Sequence, residues 1–258
     1  MTAVTQARVI ASEWTKLHSL RSSRLSLLVA IGLVVGLGLL VPWLSVADWD
    51  PETSTVGFNA VEHSLAGIYL AQLAFGVLGV LVVSGEYASG MVRATFAAVP
   101  RRLPVLWAKL GVFVAVTLAL GTIACLLAFA GGQAIYATKD VDASLGDPGV
   151  TRAVFGAGLY LAAMGAFGLA LGALLRNTAA GIATLTGLLF VLPPVVSVLP
   201  QAWGDTIGPY LPGNAGLAIV TVTPDPSGLA PWTGFGVLCA YVVVTIGAAA
   251  VMLVRRDV

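Results

Sequence analysis

Six apolar runs constrain this chain more than any motif in it. They lie at residues 25 to 46, 63 to 84, 108 to 135, 153 to 175, 178 to 200 and 232 to 254. Crossing the hydrocarbon core of a bilayer takes about 20 apolar residues at ~1.5 Å each, and every run is long enough. Inside hydrocarbon each backbone N–H and C=O must find its partner within the segment, so the runs predict helices. Composition agrees, because only 10% of the 258 residues are charged and 58% are hydrophobic, where a soluble domain carries about 25% charged residues. The expected fold is an all-α integral membrane protein, a single transmembrane domain over residues 1 to 258. Cys125 and Cys239 fall inside runs and read as small buried hydrophobes. The polar lead before the first run is too long, and no small-residue cleavage site follows that run, so the N-terminal segment does not read as a cleaved signal peptide.

Six spans return both termini to one side of the membrane. On that side lie 11 of the 13 Lys and Arg residues, with only Lys139 and Arg152 opposite. The positive-inside rule therefore places both termini in the cytoplasm. Acidic residues run the other way, with Glu13, Glu86 and Asp257 inside against nine outside. Lys109 and Arg176 sit at the ends of runs, from which long side chains are expected to reach the headgroups.

Three segments between the runs carry structure of their own. Residues 7 to 21, "ARVIASEWTKLHSLR", set Ile10, Trp14 and Leu17 at helical spacing, with Arg8, Glu13, Lys16 and Ser19 on the other faces. This is either an amphipathic helix lying in the interface or a charged topogenic tail. Residues 85 to 105, "GEYASGMVRATFAAVPRRLPV", read as a helix that opens at Glu86 beside the positive end of its dipole and closes near Pro100. By composition that segment is equally a docking element or a plain positive loop. Residues 201 to 231 are Gly- and Pro-rich, free of Lys and Arg, and too short to span twice. They read as short re-entrant or interfacial helices, or as an outer loop anchored by Trp203 and Tyr210.

Within the runs, Pro193 and Pro194 predict a kink in the fifth helix. The third run is long enough to tilt, or to end in irregular turns at Gly131 and Gly132. The small-residue pairs Gly32/Gly36 and Gly168/Gly172 read as close helix packing. Tyr69, Gln72, Thr184 and Thr186 are the polar candidates for a substrate pathway, though each reads more readily as a hydrogen bond between helices.

The sequence has no G-x-x-x-x-G-K-[ST] loop, no H-E-x-x-H, no G-x-S-x-G and no carboxylate pair within a run, and its two histidines are His18 and His63. Nucleotide binding by a phosphate loop and zinc- or serine-based hydrolysis thus have no residues to use. An enzyme is not expected, nor a cofactor, a metal ligand or a nucleic-acid partner.

Three stretches, "SEWTKLHSLRSSR", "GEYASGMVRATFAAVPRRLPVLWAK" and "PYLPGNAG", together with the six runs, carry a resemblance over essentially the whole chain. The chain resembles the permease subunits of type-2 ATP-binding-cassette exporters, particularly the short actinobacterial form. The resemblance implies an interfacial elbow helix bearing Glu13, Trp14 and Lys16, and a cytoplasmic coupling helix that enters a groove on a separate ATPase. Glu86, Tyr87, Gly90, Arg93 and Arg101 stand at that motif's positions, with Arg102 beside them. It also implies two ATPase subunits that carry the ATP and Mg, a second copy of this chain or a related permease, re-entrant helices between spans five and six, and a bacterial plasma membrane. The alternatives are a membrane anchor or assembly subunit that moves nothing, and an ion-coupled secondary carrier. The carrier would need ionisable groups near the middle of the membrane.

Overall fold

A computed structural model describes residues 5–19, 21–50, 58–99, 102–223 and 228–255, and among them the regular structure is entirely helical. In chain order the helices are α1 (Gln6–Ser19), α2 (Arg21–Ala47), α3 (Ala60–Ser64), α4 (Ile68–Ala88), α5 (Met91–Ala98), α6 (Arg102–Tyr136), α7 (Val150–Leu175), α8 (Thr178–Thr186), α9 (Leu192–Ser197), α10 (Gln201–Ile207), α11 (Pro212–Leu217) and α12 (Pro231–Arg255). Six units are long and apolar enough to cross a membrane: α2, α4, α6, α7, α8 joined to α9, and α12. The terminal end of the bundle is the one where α1 and the last turns of α12 lie.

At the centre stands α7, with 78% of its apolar stretch buried, against 22% for the fifth and last spans and 28% for α2. Glycine makes this centrality possible. A methyl on Gly168 would overlap the Gly76 carbonyl oxygen, one on Gly79 would overlap that of Gly165, and one on Gly172 would lie 2.7 Å from that of Val80. The backbones of α4 and α7 therefore touch, which maximises dispersion contact where no hydrophobic force between helices operates. Around that seam Phe75, Tyr160, Met164 and Phe167 fill the core. The other glycine pair behaves differently, because nothing lies within 4 Å of a methyl built on Gly32 or Gly36. Only Gly38 of α2 is pressed against neighbours, at Ser64 and Ala128.

Several boundaries differ from those the sequence predicts, each for a local reason. The second span starts at Ile68 rather than 63. Residues 60–64 form a separate turn capped by the Asn59 side chain, which accepts from the Val61 and Glu62 amides at 3.1 and 3.2 Å. The bend that follows brings Gly67 against the Leu33 and Val34 carbonyls. The third span starts at Arg102, because Pro104 falls in the first turn, where its missing N–H would have had no helical partner. It then runs straight through Gly131 and Gly132, whose missing side chains make room for Leu39 and Ser64.

In the fifth span the disturbance comes just before the prolines, as a π turn over Gly187–Val191 with the Leu192 amide bonded to the Gly187 carbonyl. That wider turn re-pairs backbone that two successive prolines would otherwise strand. Between the last two spans α10 and α11 stand where a plain loop was the alternative. Residues of α11 are buried, with Gly216 against Tyr160 and Leu238.

Opposite the terminal end, Gln133 ties three segments. It donates to Ala60 O at 3.1 Å and Ser64 Oγ at 3.0 Å, and accepts from the Ala143 amide at 2.7 Å. Phe58 adds edge-on contacts to Trp49 and Tyr136, with ring centroids 5.1 and 5.0 Å apart.

The α4–α7 seam makes a contrast testable. Gly168→Ala should lower the unfolding midpoint of the full chain in detergent, at a cost of about 1–3 kcal/mol for the forced backbone shift. Gly36→Ala should leave it unchanged or raise it by up to about 1 kcal/mol, through helix propensity alone. Equal shifts in the two variants would refute backbone contact at the seam.

Candidate functional site

Four charges meet at the terminal end. Lys109 Nζ lies 2.5 Å from Glu13 Oε2 and 2.9 Å from Glu86 Oε1, while Lys16 Nζ lies 2.6 Å from Glu13 Oε1 and 3.0 Å from Glu86 Oε1. Each lysine thus binds both carboxylates, and each carboxylate binds both lysines. Glu13 and Lys109 are only 3% and 6% exposed. Ions so enclosed are tolerable only when paired and hydrogen-bonded on all sides, and a closed neutral set of four meets that condition. Beside it opens a crevice of about 530 Å³ between α1, α2, α4 and α6, with Glu13, Lys16, Glu86 and Lys109 in its wall.

Each member arrives from a different local cause. Glu13 sits on the face of α1 that carries Val9 and Leu17 into the bundle. The sequence pattern instead put Ile10, Trp14 and Leu17 on the apolar face and Glu13 outside. In the structure Leu17 of that set turns into the bundle beside Glu13, whose ion partners lie inward, while Ile10 and Trp14 stay on the outer face, 44% and 55% exposed. Val9 packs on Val105 and Ala108 at the start of α6, with Val99 against the same cluster.

Glu86 requires a second correction. It lies in the last turn of α4 rather than at the opening of the next helix. There it faces the negative end of the α4 dipole, which disfavours a carboxylate, so two lysines are needed to hold it. The break comes four residues later at Gly90, whose φ of +71° is left-handed backbone that other residues adopt at a cost of about 1–2 kcal/mol. Lys109 is the third correction. Instead of reaching for headgroups it turns inward, because it lies two turns inside the continuous helix that begins at Arg102.

Lys16 also links the cluster to α5, with Nζ 3.5 Å from Thr95 Oγ1. Burial pulls its ammonium pKa down, but hydrogen bonds and charge from Glu13 and Glu86 outweigh that, and the net direction is upward. A raised lysine pKa stabilises the fold at every pH below the ordinary lysine value. That contribution is lost only as the pH climbs through the folded value, so this pairing holds throughout the neutral range.

A second set of contacts clamps the end of α12. Arg102 Nη1 donates to the Leu253 carbonyl at 3.1 Å and Arg176 Nη2 to that of Met252 at 3.2 Å. Carbonyls in a final turn lack helical partners and gather the negative end of the dipole, so two guanidiniums from α6 and the α7 C-terminus satisfy both needs. Arg176 also lies over the Tyr87 ring, 5.4 Å from its centroid. Its expected reach to headgroups is thereby corrected.

The structure therefore gathers Glu13, Lys16, Glu86, Tyr87 and Arg102 at one end and uses them within the chain. Trp14 stands apart on the outer face of α1. Arg93 is a residue of α5, and Arg101 lies outside the described residues. Lys109, Thr95 and Arg176 join the site without having been assigned to it. Charge accounting could have found Lys109, since Glu13 and Glu86 are two of only three acids on a side with 11 cations.

The four pathway candidates do not converge. Gln72 is buried, accepts a hydrogen bond from the Tyr160 hydroxyl and donates to Tyr69 O at 2.8 Å, so it joins α4 to α7. Tyr69 and Thr184 are exposed and Thr186 is half-buried. Among the described residues no group of three or more His, Cys, Asp or Glu is placed to hold a metal. No protein-family model matches the chain, and no curated protein matches it significantly.

The closed set of ions makes a double-mutant prediction. Lys109→Met strands buried carboxylate charge and should cost about 3–5 kcal/mol, whereas adding Glu13→Gln should return most of it by leaving the Glu86–Lys16 pair neutral. Thermal unfolding of the three variants in detergent measures this, and additive losses would contradict the closed network.

Proposed function

We propose that this chain is the permease subunit of an ATP-driven exporter of the ATP-binding-cassette type, working as a dimer with a second copy or a related chain above two separate ATPase subunits. ATP and Mg belong to those partners. The observation that carries the proposal is α5, an eight-residue helix set between spans two and three behind a left-handed glycine and in contact, through Thr95, with the four-charge cluster. A short helix held between two membrane spans moves as a rigid body when a soluble partner pushes on it, and the cluster passes that movement to α1, α4 and α6 together. The excess of Lys and Arg on the terminal side supports a cytoplasmic placement of both termini and of α5 in a bacterial plasma membrane. The exposed Ile10 and Trp14 support α1 as an elbow in the interface, and buried α11 supports a re-entrant cap on the outer side.

The internal contacts also redistribute the coupling roles. Glu86, Lys16 and Arg102 are positioning residues that set where α5 sits, while docking falls to α5 itself, with exposed Met91 and Ala94, with Arg93, and with Arg101 beyond its end.

Purifying the tagged full chain in mild detergent, from cells expressing its genomic neighbours, tests the assignment. An ATPase should come with it in stoichiometric amount, and Arg93→Glu combined with Arg101→Glu should lower its recovery by about tenfold or more, as charge reversal at an interface does. A chain that emerges alone, or an ATPase retained in full by the double variant, would overturn the proposal.

A further inference from the structure

A second concavity, of about 510 Å³, lies between α1, α2 and α6, separated by Leu17 from the crevice beside the ion cluster. Its floor is apolar, with Leu27, Leu28 and Ile31 on α2 facing Ala115, Val116 and Ala119 on α6. The two alanines, one helical turn apart, hollow the α6 side. Its mouth is of another character. The polar side chains there are Trp14, His18 and Arg24, and all three present N–H donors. No carboxylate lines it, unlike the neighbouring crevice, which contains Glu13 and Glu86.

Among the described residues neither Arg24 nor His18 has a hydrogen bond or an ion pair. Arg24 lies one residue inside the membrane-crossing part of α2, which starts at Ser23, with exposed Leu25, Leu28 and Val29 around it. A guanidinium at the edge of hydrocarbon, on a face directed away from the bundle, needs an anion that the bilayer itself supplies.

We propose that this groove is a binding site for one anionic phospholipid, its phosphate at Arg24, His18 and the Trp14 indole, and an acyl chain laid along α2 and α6. The distances fit that orientation. From Arg24 to Ile31 is about 10 Å along the helix at ~1.5 Å per residue, the stretch from the glycerol level into the hydrocarbon. A basic pocket between membrane helices with an apolar floor is the arrangement that selects anionic headgroups. Because α1 forms one wall, the lipid would fasten that helix to the bundle from its exposed side while Glu13 fastens it from the buried side. The site stands independently of any ATPase.

Native mass spectrometry of the full chain released from neutral detergent tests it, with phosphatidylglycerol and phosphatidylcholine of identical acyl chains as the probes. The wild type should bind phosphatidylglycerol about tenfold more tightly than phosphatidylcholine, whose choline offsets the same phosphate charge. Arg24→Gln should abolish that preference, Arg24→Lys should keep part of it, and Ala119→Phe, which fills the groove, should weaken both lipids. Unchanged size-exclusion profiles establish that each variant folds. Equal binding of the two lipids by the wild type would overturn the proposal. So would a preference that survives Arg24→Gln, or a photoreactive residue at Leu28 that cross-links in membranes to protein instead of lipid.

Discussion

Lipid tails are as apolar as leucine, so burying one hydrophobic helix against another inside a bilayer gains little from water exclusion. What remains is dispersion between closely fitted surfaces, together with the few polar contacts that hydrocarbon makes worth having. In this chain that constraint is met along one line, where Gly76 and Gly79 of α4 meet Gly165 and Gly168 of α7 with no side chain between them. Backbone contact there fixes the relative height of the two helices, and the Tyr160–Gln72 hydrogen bond registers the same pair toward its other end. The other spans pack around this seam, and the last two and α2 keep most of their apolar surface facing outward.

The terminal end obeys a different rule. Four ions are held where hydrocarbon begins, and removing them from water costs several kcal/mol each unless their mutual geometry repays it. Glu86 adds to that cost by facing the carbonyl end of its own helix. The repayment comes from three segments at once, with Glu13 and Lys16 brought by α1 and Lys109 by α6. An amphipathic lead segment that could have floated free is thereby made part of the bundle, and the backbone immediately before Gly90 is pinned.

How much of this was legible in the sequence depended on the range of the interaction that decides it. Six helices could be read directly, because hydrocarbon thickness sets a length and composition reveals it residue by residue. The start of α6 was misplaced because Pro104 looks like punctuation until it is seen to occupy a turn with no amide to lose. The inward place of Glu13 on α1 was missed because hydrophobic periodicity sets an acid on the polar face, and only ion pairs spanning 70 and 96 residues, Lys16–Glu86 and Glu13–Lys109, bring that face inward. Glu13 pairs directly with Lys109, and through Lys16 the same helix reaches Glu86. Gly32 and Gly36 show the converse error, a packing motif that faces open space, while Gly76 and Gly79, three apart, make the closest contact without matching the motif.

In the ring of two carboxylates and two ammoniums every ion has two opposite neighbours, so no single contact is indispensable. One Lys–Glu distance can lengthen while all four ions stay neutralised, whereas a lone buried pair would leave two bare charges at the first separation. The junction of α1, α4 and α6 therefore behaves as a bearing more than as a bolt. It keeps its members together while any one of the four contacts lengthens, on the wall of a crevice that leaves Lys16 a quarter exposed.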